Sequence, residues 1–486
     1  MKSLLFLLIS FFLCMPACVS INKNKLINAQ RDALDKEEQW RYDVPINETK
    51  SQKPIFPQII KKQLSNGFSV FVLPNNSLPI ANISITFKSG SRFDKKNKAG
   101  TFVLLGLMLK EGTKNLSSLE LAESFANLGS ELSVNAYLDK IIVSADVMSQ
   151  NIPQVIDLIS DVVQNPKFLD EDFTRVKLTL INSLESMQSV PSYVARREFF
   201  KVAYGDEHPY SNSIINNPKD LELVTLDDIK AAHAENFGAN NAALIAVGDV
   251  DFASLKKNSQ KLFTWSKKVN NSQVIKDPKL ATSMQTVLIP QARTPQTYLF
   301  VGQLGPSIND EKARASLDIL QTIAASMPTS RLGANLREAK GWTYGVQSEF
   351  TPLLSRSVFA FNTSIQVPYG VDALVEMQKE FEKLQTTMVS EEELSSAKSS
   401  VLMSFNTLYE TLSSSSLAIS NKFVYDKDLN YESKYYDEIS NITQADVMKA
   451  AKEYLSNSHM IAIAVGESEV MAVPLKKMNM PYRIKQ

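Results

Sequence analysis

Apolar and polar positions fall into two kinds of pattern along this chain, and the change from one to the other marks its elements. Residues 80–87 alternate apolar and polar, which predicts a strand with one buried face. A hairpin is expected just before it. Its arms are 61–65 and 68–73, joined at Asn66-Gly67, the pair that favours a two-residue turn. Residues 99–109 are almost wholly apolar and predict a buried helix, stopped by Gly112. Ser117-Ser118 opens a helix over 119–128 with Gly129 behind it. Strands follow at 132–136 and 141–147, then long helices at 153–165 and 171–188. A helix at 226–237 and a strand at 243–247 close the unit at Gly248-Asp249.

The pattern then repeats. Leu244-Ile245-Ala246-Val247-Gly248 recurs as Ala462-Ile463-Ala464-Val465-Gly466, and Asp228-Ile229 as Asp446-Val447. Phe173 with Lys177 recurs as Leu394 with Lys398. A period this long is a duplicated domain, not a solenoid repeat. The fold expected is α+β: two similar α/β domains, each a mainly antiparallel sheet packed against several helices. Their bounds are expected at 56–268 and 283–486, with the polar run 269–282 as linker.

One stretch carries candidate chemistry. Residues 330–340 have helical spacing through Leu332 and Leu336, and Gly341 stands where a left-handed cap residue is wanted. Residues 342–346 are rich in aromatic and β-branched side chains and read as strand. Arg337 and Tyr344 flank the turn, and a guanidinium and a phenol can donate hydrogen bonds into one space.

Composition narrows the classes. Lys+Arg and Asp+Glu are both 52, so no net charge draws the chain to nucleic acid. Lys2, the apolar run 4–13 and the small residues behind it make a secretory signal peptide. Met15-Pro16-Ala17-Cys18 is similar to a bacterial lipobox, with Cys18 the lipidated residue. The expectation is a signal over 1–18, a polar tether over 19–55 and a lipoprotein on the periplasmic side of the outer membrane. Cleavage near Ser20, releasing the chain to the periplasm, is the alternative.

The ordered set Leu64-Ser65-Asn66-Gly67, Gly90-Ser91-Arg92, Gly112-Thr113, His208-Pro209-Tyr210, Gly248-Asp249, Ser330-Arg331-Leu332, Leu336-Arg337-Glu338 and Gly341 to Tyr344 resembles the pitrilysin-type (inverted zincin) peptidase family. The resemblance is to its processing-peptidase-like branch and covers nearly everything from Leu64 to Val470. Active members carry H-x-x-E-H on a helix: two histidines and a distant Glu hold zinc, and the motif Glu is the general base. The matching positions here are Val103, Gly106 and Leu107, with Ser183 at the distant site. The only histidines are His208, His233 and His459. This chain is therefore expected to hold no zinc, and His208 to be structural.

The resemblance assigns Arg337 and Tyr344 to the substrate side of the site, where a phenol donor steadies the oxyanion of peptide hydrolysis. In the family's two-chain enzymes one subunit carries zinc and the other this pair. The implied function is the non-catalytic subunit of a heterodimeric periplasmic zinc peptidase, inactive alone, whose partners are a zinc-bearing paralogue, peptide substrates and, through its lipid, a membrane. The rivals are a non-enzymatic scaffold and a peptide-binding holdase of the same fold.

Overall fold

The computed structural model describes residues 52–485 apart from 212–217, 259–261, 263 and 271–274. Cys18, the signal peptide and most of the expected tether lie outside the described residues. The last residues of that tether are placed: Lys53 pairs with Asp437, and the ring of the following Phe56 packs edge-on against Phe405.

Twelve strands form two sheets. The first comprises β1 (Ile60–Gln63), β2 (Ser69–Pro74), β3 (Ile80–Phe87), β4 (Ser133–Ala136), β5 (Ile141–Met148) and β6 (Ala242–Gly248). Its order is β1-β2-β6-β3-β5-β4, with β4 on one edge. The second comprises β7 (Gln285–Pro290), β8 (Gln296–Leu304), β9 (Gln347–Thr351), β10 (Val358–Gln366), β11 (Ile461–Gly466) and β12 (Arg483–Ile484), in the order β12-β7-β11-β8-β10-β9. The duplication is visible strand by strand. β2 beside β6 and β7 beside β11 are the corresponding parallel pairs; the pairings from β6 to β4 and from β11 to β9 are antiparallel, and the outer edges differ, β1 pairing antiparallel with β2 and β12 parallel with β7.

The repeated residues do the same work twice. Asp228 and Asp446 each close a capping box with Thr225 and Thr443 at the start of the helices Leu226–Asn236 and Gln444–Tyr454. Lys177 donates to the carbonyls of Glu222 and Val224, and Lys398 to that of Ser440. Each ammonium thus satisfies carbonyls in the connection between two helices.

Three local expectations are corrected. The turn after β1 is not a two-residue Asn-Gly turn. Leu64 pairs with Phe68, leaving a three-residue loop with Gly67 at φ 91°. The helix Pro191–Tyr204 was not foreseen, although Pro at its start and Gly205 behind it are regular signals. And β3 is buried on both faces. Its apolar residues Ile83, Ile85 and Phe87 enter the first core. Its polar residues meet the helix Leu412–Val424: Ser84 bonds Ser416 at 2.9 Å and Thr86 bonds Ser420 at 2.7 Å.

That helix belongs to the second half of the chain and lies on the first sheet, where Phe423 packs against Phe71. Reciprocally, Pro191–Tyr204 belongs to the first half and lies on the second sheet, where Phe199 meets Phe300 at 4.9 Å. Each half therefore covers the other's sheet. A polar cluster reinforces the exchange. Asp139 accepts from Tyr210 at 2.8 Å, ion-pairs with Arg92 at 3.2 Å and accepts a long bond from Tyr425. The Tyr210 hydroxyl in turn accepts from the Leu354 amide. Gly90-Ser91-Arg92 and His208-Pro209-Tyr210, far apart in sequence, meet here. His208 is held structurally: its Nε2 bonds the Lys276 carbonyl and its ring stacks on Tyr204.

Candidate functional site

The helix at the zinc-motif positions, Thr101–Met108, is started by a carboxylate rather than by a cap residue in sequence. Asp94 accepts from the amides of Gly100 and Phe102. Burial pushes its carboxyl up to about 8, against those two hydrogen bonds. Phe102, Leu104, Leu105 and Met108 face the core. The other face is not buried as expected: Val103 is half-buried and Leu107 is 36% exposed. Gly106 lies against edge strand β4, where an added Cβ would touch Val134 and Ala136 at ordinary contact distance. The face is therefore apolar and only partly exposed, Gly106 itself being buried. Ser183, on the helix Asp170–Met187, is exposed. Zinc takes nitrogen, sulfur or carboxylate oxygen. Val103, Gly106 and Leu107 offer no such side chain, and Ser183 offers one hydroxyl. Among the described residues no three His, Cys, Asp or Glu side chains gather as a metal site. His233 bonds the Val163 carbonyl and His459 that of Ala281.

The Arg337–Tyr344 stretch is built differently from the expectation. The helix begins at Arg331, but Gly333–Ala339 is π-helical. Such turns are rare and concentrate at functional sites. Gly341 takes the left-handed conformation expected of it, at φ 65°. Its amide returns to the Arg337 carbonyl and that of Trp342 to Leu336, both at 2.9 Å. Residues 342–346 are not strand. β9 starts at Gln347, and the connection is an irregular loop tied to its neighbours. Gln366 donates to the Trp342 and Gly341 carbonyls. Thr343 and Thr363 bond each other and the Gly345 carbonyl. Trp342 stacks on Tyr369 at 5.0 Å, with Lys340 over its ring. Glycines at 341 and 345 and these side-chain bonds override the β propensity of the intervening residues.

The π-helical turn is fixed from below by residues the sequence pattern did not single out. Asn335 donates to Glu376 at 3.0 Å and to Glu380 at 2.9 Å. Bonds from Lys379 and then Asn335 pull the Glu376 carboxyl down to about 2, so it is ionised throughout the ordinary range. Arg331 forms a two-pronged pair with Glu393. It is a structural arginine. Arg337, six residues on, is exposed and makes, among the described residues, a single ion-pair contact, at 3.3 Å with the adjacent Glu338. Tyr344 is 91% exposed. The backbone is braced and the two side chains project from it.

Two family models cover the chain in succession. One, described as Insulinase (Peptidase family M16), matches residues 70–217, and the other, Peptidase M16 inactive domain, matches 223–401. The chain belongs to peptidase family M16. The M16 fold is matched by the crystal structure of a peptidase M16 inactive domain from Pseudomonas fluorescens, at 24% identity and a TM-score of 0.77 over 84% of this chain and 98% of that one. Two Helicobacter pylori proteins are similar in sequence. The non-peptidase homolog YmxG is 21% identical over 77% of this chain and 86% of its own length. The zinc protease PqqE is 22% identical over 82% and 91%. The positions expected for the family's zinc motif carry Val103, Gly106 and Leu107. Arg337 and Tyr344 are each exposed, on either side of the Gly341 turn, and do not bond each other.

Proposed function

We propose that this chain is the non-catalytic subunit of a heterodimeric periplasmic zinc peptidase, and that it presents Arg337 and Tyr344 to a site whose metal sits on a zinc-bearing paralogue. The observation that carries the reading is the contrast between the two regions. The motif helix has lost every ligand, whereas the Arg337–Tyr344 loop keeps a heavily braced backbone beneath exposed functional groups. Bracing of that kind costs conformational freedom and is pointless for a solvated loop. One organism, Helicobacter pylori, holds both a non-peptidase homolog and a zinc protease similar to this chain. That is the composition a two-chain enzyme requires.

In the mechanism, zinc on the partner supplies the activated water. This chain's work is electrostatic and positional. The Tyr344 phenol donates to the carbonyl oxygen as negative charge develops there. The Arg337 guanidinium holds neighbouring substrate carbonyls. An extended peptide enters along the open edge of a sheet, taking main-chain hydrogen bonds. Cys18, if lipidated, tethers the assembly to the membrane facing the periplasm.

Reconstitution tests this. The chain alone is expected to show no peptidase activity and no zinc uptake. Adding the paralogue that carries H-x-x-E-H should create activity neither chain has alone. A zinc paralogue fully active by itself would refute the assignment and leave the scaffold or holdase reading.

A further inference from the structure

Helix Pro191–Tyr204 belongs to the first half, yet it carries a charge that the second half balances. Glu198 is buried, and its helix neighbours Val194, Ala195 and Phe199 enter the first core. Its carboxylate has therefore given up most of its hydration on folding. Among the described residues its hydrogen bonds come from two side chains. Lys485 Nζ binds Oε2, and Arg483 Nη2 reaches Oε1 at 3.5 Å. Both cations come from the β12 segment. Side chains two apart on a strand share a face, so the two reach the same carboxylate and Ile484 between them stays exposed. β12 itself is slight. It pairs with β7 at Arg483–Val287 and Ile484–Leu288, and the Lys485 amide donates to the Leu288 carbonyl at 2.9 Å. Tyr482, just before it, packs against the second core, but both strand residues are exposed. Segments with so little burial open at low cost.

The helix has other polar ties to the second half. Arg196 bonds Glu349 at 2.7 Å and Thr351 at 3.1 Å, and the Tyr204 hydroxyl donates to the Arg356 carbonyl at 2.6 Å. The Arg196–Glu349 pair is 25% exposed on each side, and water screens it. Glu198 is different in kind. A buried carboxylate stripped of its counter-ions costs far more than a screened pair contributes. We infer that β12 is a latch: its two cations, closed on Glu198, keep helix Pro191–Tyr204 seated on the second sheet, and when β12 leaves β7 the helix loses its seat. The first half's cover over the second sheet thus depends on a two-residue strand that opens separately from the rest of its sheet. The device acts where the halves cross, apart from Arg337 and Tyr344.

Hydrogen exchange on the full chain tests the latch. In the native chain the Lys485 amide should exchange faster than the amides of β11, because β12 opens without the sheet. The double variant Arg483→Ala/Lys485→Ala should speed exchange along Pro191–Tyr204 at least about tenfold, with Leu412–Val424 on the first sheet unchanged. Glu198→Leu removes the stranded charge at similar volume. In that background the same two alanines should change the helix rates by less than about twofold, which a double-mutant cycle reads directly. A double variant that does not fold should fold again when Glu198→Leu is added. The proposal is overturned if β12 exchanges no faster than β11, or if the alanines leave the helix rates native. It is equally overturned if Leu412–Val424 accelerates as much as Pro191–Tyr204, or if the alanines do the same damage with or without Glu198. None of these readouts depends on peptidase activity or on a partner chain.

Discussion

Tyr344 is 91% exposed, while the backbone on either side of it is held by Gln366, Thr343, Thr363 and the Trp342–Tyr369 stack. Because the ring contributes nothing to packing, Tyr344→Phe should change stability by less than about 0.5 kcal/mol in a denaturant titration. Any larger effect would mean the phenol has a structural partner. His233 behaves oppositely. Burial holds its imidazole down to about 4, against the bond its Nε2 donates to the Val163 carbonyl, which favours the charged form. The unfolded chain, at about 6.5, takes up a proton first as pH falls. His233 therefore contributes stability that is complete above about pH 6.5 and lost progressively toward pH 4, roughly 3 kcal/mol at the shift given. His233→Gln should flatten the dependence of thermal stability over that window. The positions Val103, Gly106, Leu107, Arg337 and Tyr344 were singled out through the family resemblance, which rests on the order and spacing of short motifs. Asn335 and Glu376, and the Arg314–Tyr431 bond, were not. Their roles depend on partners 41 residues or more away, which no local pattern reveals.

At the scale of elements, the departures have identifiable causes. Trp342 to Val346 has the composition of a strand, but Gly341 in the left-handed conformation and the threonine bonds hold it as a loop. β3 has the alternation of a half-solvated strand, yet its polar face is covered by a serine-rich helix. Alternation records that one face is polar. It does not record whether water or another hydroxyl satisfies it. The π-helical turn Gly333–Ala339 is held to Gly370–Thr386 through Asn335. Asn335→Ala removes two bonds to carboxylates, each of a kind worth about 1.5–3 kcal/mol. The expected result is faster hydrogen exchange at the Gly341 and Trp342 amides, with the exchange of β11 unchanged. Equal rates at both places in the variant and the native chain would show that the turn does not need that anchor.

For the whole molecule, the duplicated architecture was legible in the recurrence of Gly248-Asp249 surroundings 218 residues later, but the exchange of helices between halves was not. Nothing in the sequence of Pro191–Tyr204 says which sheet it covers. The structure makes the halves interdependent through those helices and through the buried cluster at Asp139. Removing one member of a buried ion pair leaves the other charge uncompensated. Asp139→Ala should therefore destabilise the chain by about 3–5 kcal/mol, with both halves unfolding in one transition. Two separated transitions in calorimetry would mean that the halves fold independently.

Under the proposed function, interlocked halves suit a subunit that holds two side chains in place against another protein. The most direct measurement is the turnover of the reconstituted pair with native chain and with Tyr344→Phe. If the phenol supports the oxyanion, the variant pair should assemble with the same affinity and lose about 10²–10³-fold in kcat. A kcat within a few-fold of native, in a pair that still assembles, would contradict the account.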